Sequence, residues 1–213
     1  MTTPAIKICG INTPTALDAT IAARADYAGL VFFPRSPRNV SLNDAAILGS
    51  QAKGRIGTVG LFVDADDSLI AEAVAAASLT VLQLHGTEPP DRAAHLRSRF
   101  GLPVWKAVSV AGTQDLARAA SYRGAADLVL FDAKTPPGTL PGGMGLSFDW
   151  SLLNNWSGGV NWGLAGGLSA RNVVNALQTT RASLVDTSSG VETAPGVKDP
   201  DMIAAFCAAV RGA

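Results

Sequence analysis

The feature that most constrains this chain is the repetition of one unit: a short apolar or β-branched run, a turn, then an alanine-rich helical stretch. Runs at 5–9, 27–33, 56–63, 79–84, 103–108, 127–132, 160–165 and 183–187 read as strands. Helices are predicted near 14–24, 42–52, 66–77, 90–99, 114–122, 149–155, 170–179 and 200–210. Several starts carry caps: Thr13 before Pro14, Ser41 with Asp44 three residues on, and Ser169 before Ala170. Eight such units, about 27 residues apart, predict an α/β fold: a single-domain (β/α)8 barrel over 1–213, compact beside the ~250 residues usual for it. A doubly wound open sheet would want G-x-G-x-x-G after its first strand, and Cys9-Gly10-Ile11-Asn12 lacks it. The Gly/Pro-rich stretch 136–145 reads as a long loop inside one unit, not a domain boundary.

With 47% hydrophobic and 16% charged residues, the chain has enough apolar side chains for a substantial core. Its 17 basic and 17 acidic side chains cancel, and with no basic run a nucleic-acid partner is not expected. No apolar segment approaches the length of a membrane span, and Met1-Thr2-Thr3-Pro4 shows no signal-peptide pattern. Cys9 and Cys207 make no disulfide framework, so a reducing, cytoplasmic setting is the expectation.

In the first strand, Ile6 and Ile8 share one face while Lys7 and Cys9 share the other. If the isoleucines meet the helices, the amine and the thiol point into the sheet's centre. A buried lysine needs a carboxylate partner, and Asp186 on the eighth strand, next to the first in a closed barrel, is the expected one. A positive charge beside Cys9 should ease formation of the reactive thiolate. The plainer reading is a small buried cysteine filling a gap.

Active sites of such barrels lie at the carboxyl ends of the strands. There the chain places Cys9-Gly10, Arg35 and Arg38, Asp64, His85-Gly86, Asp132-Ala133-Lys134, Gly166-Gly167 and Ser188-Ser189-Gly190. The last two groups follow strands seven and eight, where this fold binds phosphate, although either could be a simple tight turn. Asp132 is either a solvated loop acid or a desolvated one able to donate a proton near neutrality. Arg38 suits a planar carboxylate, or is solvated, as Arg35 is expected to be. His85 follows Gln83 on the inward face and either meets a sugar hydroxyl or sits in the core. His95 and Cys207 read as surface and packing. No His-x-x-x-His, Cys-x-x-Cys, Gly-x-Ser-x-Gly or Walker pattern occurs, so no metal site is expected.

Taken together, Lys7-Ile8-Cys9-Gly10-Ile11, Phe33-Pro34-Arg35-Ser36-Pro37-Arg38, Gln83-Leu84-His85-Gly86, Asp132-Ala133-Lys134-Thr135-Pro136, Gly142-Gly143-Met144-Gly145, Phe148-Asp149-Trp150, Ala165-Gly166-Gly167-Leu168 and Asp186-Thr187-Ser188-Ser189-Gly190-Val191-Glu192 resemble the phosphoribosylanthranilate isomerase family in order, over essentially the whole chain. The resemblance implies a cofactor- and metal-free Amadori rearrangement of a phosphosugar substrate in tryptophan biosynthesis, by a monomer or homodimer. It implies Asp132 as general acid, Cys9 as general base, Arg38 at the anthranilate carboxylate, and Gly166, Gly167, Ser188, Ser189 and Gly190 at the phosphate. Met144 departs from the small polar residue expected in the glycine loop. Related histidine-pathway isomerases carry aspartate at the position of Cys9, which argues against that substrate. Indole-glycerol-phosphate synthase would want further strand-end lysines, and only Lys106 is a candidate to point inward. A binding barrel that has lost catalysis would not need both Cys9 and Asp132.

Overall fold

The structure, a computed structural model, describes residues 3–134, 145–154 and 156–213. Eight parallel strands, β1 (Ala5–Cys9), β2 (Tyr27–Phe32), β3 (Gly57–Phe62), β4 (Val81–Leu84), β5 (Val104–Val110), β6 (Leu128–Ala133), β7 (Asn161–Leu164) and β8 (Leu184–Thr187), pair in chain order, and β1 meets β8 to close the barrel. Around them run α1 (Pro14–Ala22), α2 (Leu42–Ala52), α3 (Asp67–Ala77), α4 (Pro90–Phe100), α5 (Thr113–Ala120), α6 (Val173–Thr180) and α7 (Pro200–Arg211). The caps on α1 and α2 form as expected. Thr13 Oγ1 accepts the Ala16 N–H at 3.2 Å, and Ser41 Oγ accepts that of Asp44 at 3.1 Å.

Strand alternation divides the side chains into two layers. Ile6, Ile8, Phe62, Leu82, Val104, Val108, Val129 and Phe131 face the helices in one continuous apolar layer. Val59, Val81, Trp105, Leu128, Leu130, Ala165 and Leu184 fill the barrel interior, and Cys9, Val31 and Leu61 form a smaller cluster. A packed floor therefore lies below whatever the strand ends present, as the fold requires.

The helical segment predicted at 149–155 is instead a single 3-10 turn, Trp150–Leu153. Asp149 Oδ1 accepts the Ser151 N–H, and the Trp156 N–H returns to the Leu153 carbonyl at 3.0 Å, an i+3 bond that ends the turn. The helix expected to start at Ala170 starts at Val173. Ser169 is not its cap: its own N–H donates to Asn172 Oδ1 at 2.8 Å, while Asn172 Nδ2 donates to the Gly167 carbonyl at 2.9 Å. The amide of Asn172 thus braces the glycine loop rather than the helix. A hairpin the sequence reading did not anticipate, β9 (Glu192–Ala194) with β10 (Val197–Lys198), follows β8. Residues 135–144, with most of the Gly/Pro-rich loop and Met144, lie outside the described residues.

Candidate active site

The ion pair expected inside the barrel is present. Lys7 and Asp186 are register partners across the β1–β8 seam, and Lys7 Nζ donates to Asp186 Oδ2 at 2.8 Å with the lysine wholly buried. Burial alone would lower the lysine's pKa, but Asp186 and Cys9 together hold it above its ordinary value. Burial raises Asp186, with Lys7 pulling the other way. Asp186 Oδ1, also buried, has no hydrogen-bond partner among the described residues.

Cys9 corrects the expectation drawn from its neighbour. Burial pushes its thiol up, and Lys7 only partly offsets this. The charge of Lys7 is already answered by Asp186, so it acts on the sulfur at a discount. Desolvation of a thiolate in a site only 6% exposed wins. The resting group is a thiol.

Asp132, on the inward face near the end of β6, is 7% exposed. Its Oδ1 accepts the Ala133 N–H at 2.8 Å, and its Oδ2 lies 3.2 Å from His85 Nε2. That approach is off the line of a hydrogen bond, and neither ring nitrogen of His85 has a hydrogen-bond partner among the described residues. Gly166 (φ +84°) bends the chain against this carboxylate: a Cβ there would sit 2.6 Å from the Ala133 nitrogen and 3.1 Å from Asp132 Oδ1. Gln83 faces inward as expected, wholly buried, with both side-chain polar atoms unpartnered among the described residues.

At the mouth, Arg38 is buried and forms a two-pronged pair with Glu192, Nε to Oε1 at 2.8 Å and a terminal nitrogen to Oε2 at 2.7 Å. Gly10 (φ +78°) makes room for it, since a Cβ there would meet Arg38 Cδ at 2.5 Å. Glu192 Oε1 also accepts from Lys198 Nζ at 2.5 Å, and Lys198 in turn donates to the Ser188 carbonyl at 3.0 Å and hydroxyl at 3.2 Å. Burial would raise Glu192, but the two cations hold it below the usual carboxylate range; burial lowers Lys198 against Glu192.

One cavity at the strand ends takes in Cys9, Arg38, His85, Asp132, Asp186, Gly166, Gly167, Ser188 and Ser189. Gly190 is not among its lining residues: it packs against the Leu168 carbonyl, which occupies the place a Cβ would need. Arg35 and His95 are exposed, and Cys207 is buried with its thiol pushed up to about 11 by burial.

Residues 6–209 match the family described as N-(5'phosphoribosyl)anthranilate (PRA) isomerase. The N-(5'-phosphoribosyl)anthranilate isomerase of Paramagnetospirillum magneticum is 50% identical over 208 residues, covering 97% of each chain. The crystal structure of the Thermotoga maritima enzyme superposes with a TM-score of 0.89 at 34% identity, over 99% of this chain and 100% of that one. A phosphoribosyl anthranilate isomerase in complex with reduced 1-(o-carboxyphenylamino)-1-deoxyribulose 5-phosphate gives 0.87 at 33%, with the same coverage.

The chain belongs to the phosphoribosylanthranilate isomerase family.

Within that family frame, the cluster at the mouth holds what sequence reasoning missed. Glu192 was visible in a motif but carried no assigned role, and Lys198 was not singled out. The available signal was Pro195-Gly196, a turn dipeptide between two short extended runs, which predicts the hairpin that brings Lys198 back over Ser188. The inward placement of Lys106 is corrected. It shares a face of β5 with Val104 and Val108, and its amine lies on the helix side, 2.8 Å from Glu88. Among the described residues no His, Cys, Asp and Glu side chains cluster as a metal site, and no helix is long and apolar enough to cross a membrane.

Proposed function

We propose that this chain isomerises N-(5'-phosphoribosyl)anthranilate to 1-(2-carboxyphenylamino)-1-deoxyribulose 5-phosphate, with Asp132 as general acid and Cys9 as general base. The observation that carries this reading is the sharing of one cavity by Cys9, Asp132, Arg38 and the two loops after β7 and β8.

The phosphate lies against the backbone of Gly166-Gly167 and the hydroxyls of Ser188 and Ser189, where loops after the last two strands of such barrels take anions. Gly190 supports that loop from behind. Arg38, its stem fixed over Gly10 and its fork by Glu192, faces the anthranilate carboxylate. His85 stands beside the acid, within reach of the sugar.

Asp132 gives its proton to the furanose ring oxygen as the C1'–O bond breaks and the anilino nitrogen lone pair closes onto C1', leaving a protonated Schiff base. That cation acidifies the C2' hydrogen. Cys9, its own thiol proton first passed to solvent as the cation forms beside it, takes the C2' proton as a thiolate while the C–H electrons form the enolamine, which tautomerises to the ketone as C1' gains a proton and the enol oxygen loses one. The cationic intermediate also helps a thiol held up by burial to work as a thiolate base, with Lys7 behind it. Proton transfers of this kind contribute ~10²–10⁴-fold each.

The test is a fluorescence assay of anthranilate-ribonucleotide consumption, run beside the histidine-pathway ribonucleotide. Consumption of the first with little of the second is expected; failure to consume the first overturns the proposal.

A further inference from the structure

A second buried cluster lies on the other side of the sheet wall from the cavity. Glu88, in the loop between β4 and α4, and Lys106, on β5 opposite Leu84, pair at 2.8 Å with both side chains about 4% exposed. Each also grips backbone. Glu88 Oε1 accepts the Asp64 N–H at 2.8 Å and Oε2 accepts the Gly86 N–H at 2.9 Å. Lys106 Nζ donates to the Gly86 carbonyl at 2.7 Å and to that of Leu84 at 3.4 Å. The Tyr122 hydroxyl donates to the Glu88 carbonyl at 2.5 Å, and Lys106 lies 5.9 Å from the centre of that ring.

Leu84 and Gly86 flank His85, whose own N–H donates to the Phe62 carbonyl at 2.8 Å. The imidazole makes no hydrogen bond of its own among the described residues, so its place beside Asp132 is set by its backbone and packing. A buried ion pair is a weak source of stability, since apolar residues of like volume often serve as well. Four bonds from the pair to backbone at the end of β4 and in the loops after β3 and β4 are what apolar residues could not supply.

We propose that Glu88 and Lys106 are positioning residues: through the backbone on both sides of His85 they hold its imidazole 3.2 Å from the Asp132 carboxylate. This rests on Asp132 acting as the general acid. Neither residue touches the cavity, so the effect belongs in kcat and not in ligand grip.

The experiment pairs turnover with NMR of the imidazoles, which is tractable because the chain has two histidines and His95 is exposed. The double variant Glu88→Gln with Lys106→Met removes both charges together and leaves neither stranded. Expected is a fall in kcat of about 10- to 100-fold with KM within about threefold, as for a catalytic group displaced by an ångström or less. The His85 resonances should move, and should no longer respond to Asp132→Asn as they do in the parent. Parent-like kcat, a parent-like His85 response, or kcat and KM lost in step with melting temperature would each overturn the proposal. Tyr122→Phe, which keeps both charges, covers an unfolded double variant: a His85 shift away from the parent with the fold retained supports the proposal, and no shift overturns it. If the parent itself turns over no substrate, the reaction assignment falls, while the resonances still judge the placement of His85.

Discussion

Two of the buried lysine–carboxylate pairs among the described residues have the same length, Lys7–Asp186 inside the barrel and Lys106–Glu88 outside it, and they behave differently. Lys7 is held above its ordinary pKa, against the pull of burial, because Asp186 and Cys9 both face it where it is wholly buried. Lys106 is held below because burial outweighs the help of Glu88 and Asp64, with the Arg118 charge adding to the lowering. The interior pair sits where reacting charge would appear, whereas the exterior pair ties loops together. Matching bond lengths say little about what a buried ion pair does; the neighbours on each partner decide it.

The comparison breaks first at the groups the interior pair borders. Cys9→Ala and Asp132→Asn should each cut turnover by ~10²–10⁴-fold or more with circular dichroism unchanged; parent-like turnover would remove that residue from the mechanism. Next, Lys7→Met strands Asp186 and should cost about 3–5 kcal/mol in urea unfolding, with turnover lost as well. Lys7→Met combined with Asp186→Leu should recover much of that stability without recovering activity. Full catalytic recovery would show that the interior pair is only structural.

The two ammonium groups should also titrate in opposite senses about the ~10.4 of a free lysine. Lys7, raised on folding, adds stability below the unfolded value that is lost as pH climbs through the folded one. For Lys106, lowered on folding, the charged form costs stability at lower pH, and that cost is relieved as pH rises through its folded value. Carbon-13 shifts at the lysine ε carbons should show Lys106 deprotonating before Lys7; the reverse order would cancel the distinction drawn above. The smallest effect belongs to a pair in water. Arg55 and Asp18 lie 3.4 Å apart with both side chains about half exposed, so Asp18→Asn should move stability by less than about 1 kcal/mol.

The interior pair was legible in the sequence, and the exterior one was not. Period-2 alternation puts Lys7 opposite Ile6 and Ile8, and closing eight strands makes β1 and β8 neighbours, so Asp186 follows as partner. Lys106 sits on the face that alternation assigns to apolar side chains, and Glu88 comes from a loop, where no period applies. The placement of Asp132, Cys9 and the glycine loop around one cavity was readable because strand ends are fixed by the fold. The direction of the Cys9 shift was not, because it depends on how deeply the sulfur is buried and on Asp186 answering the charge of Lys7. The turn at Trp150–Leu153 and the late start of α6 were missed for a related reason. In both, an Asp or Asn side chain bonds nearby backbone and competes with the helix, which apolar spacing does not register.

Glu192 holds Arg38 with both oxygens and, through Lys198, the loop of Ser188. On the proposed reading, those are the grips for opposite ends of the ligand, joined by a single side chain. A sugar phosphate too long or too short could not be accommodated by shifting one grip alone, because the other would be dragged with it. On that reading the carboxylate would serve as a gauge of ligand length, set by a residue outside the cavity lining.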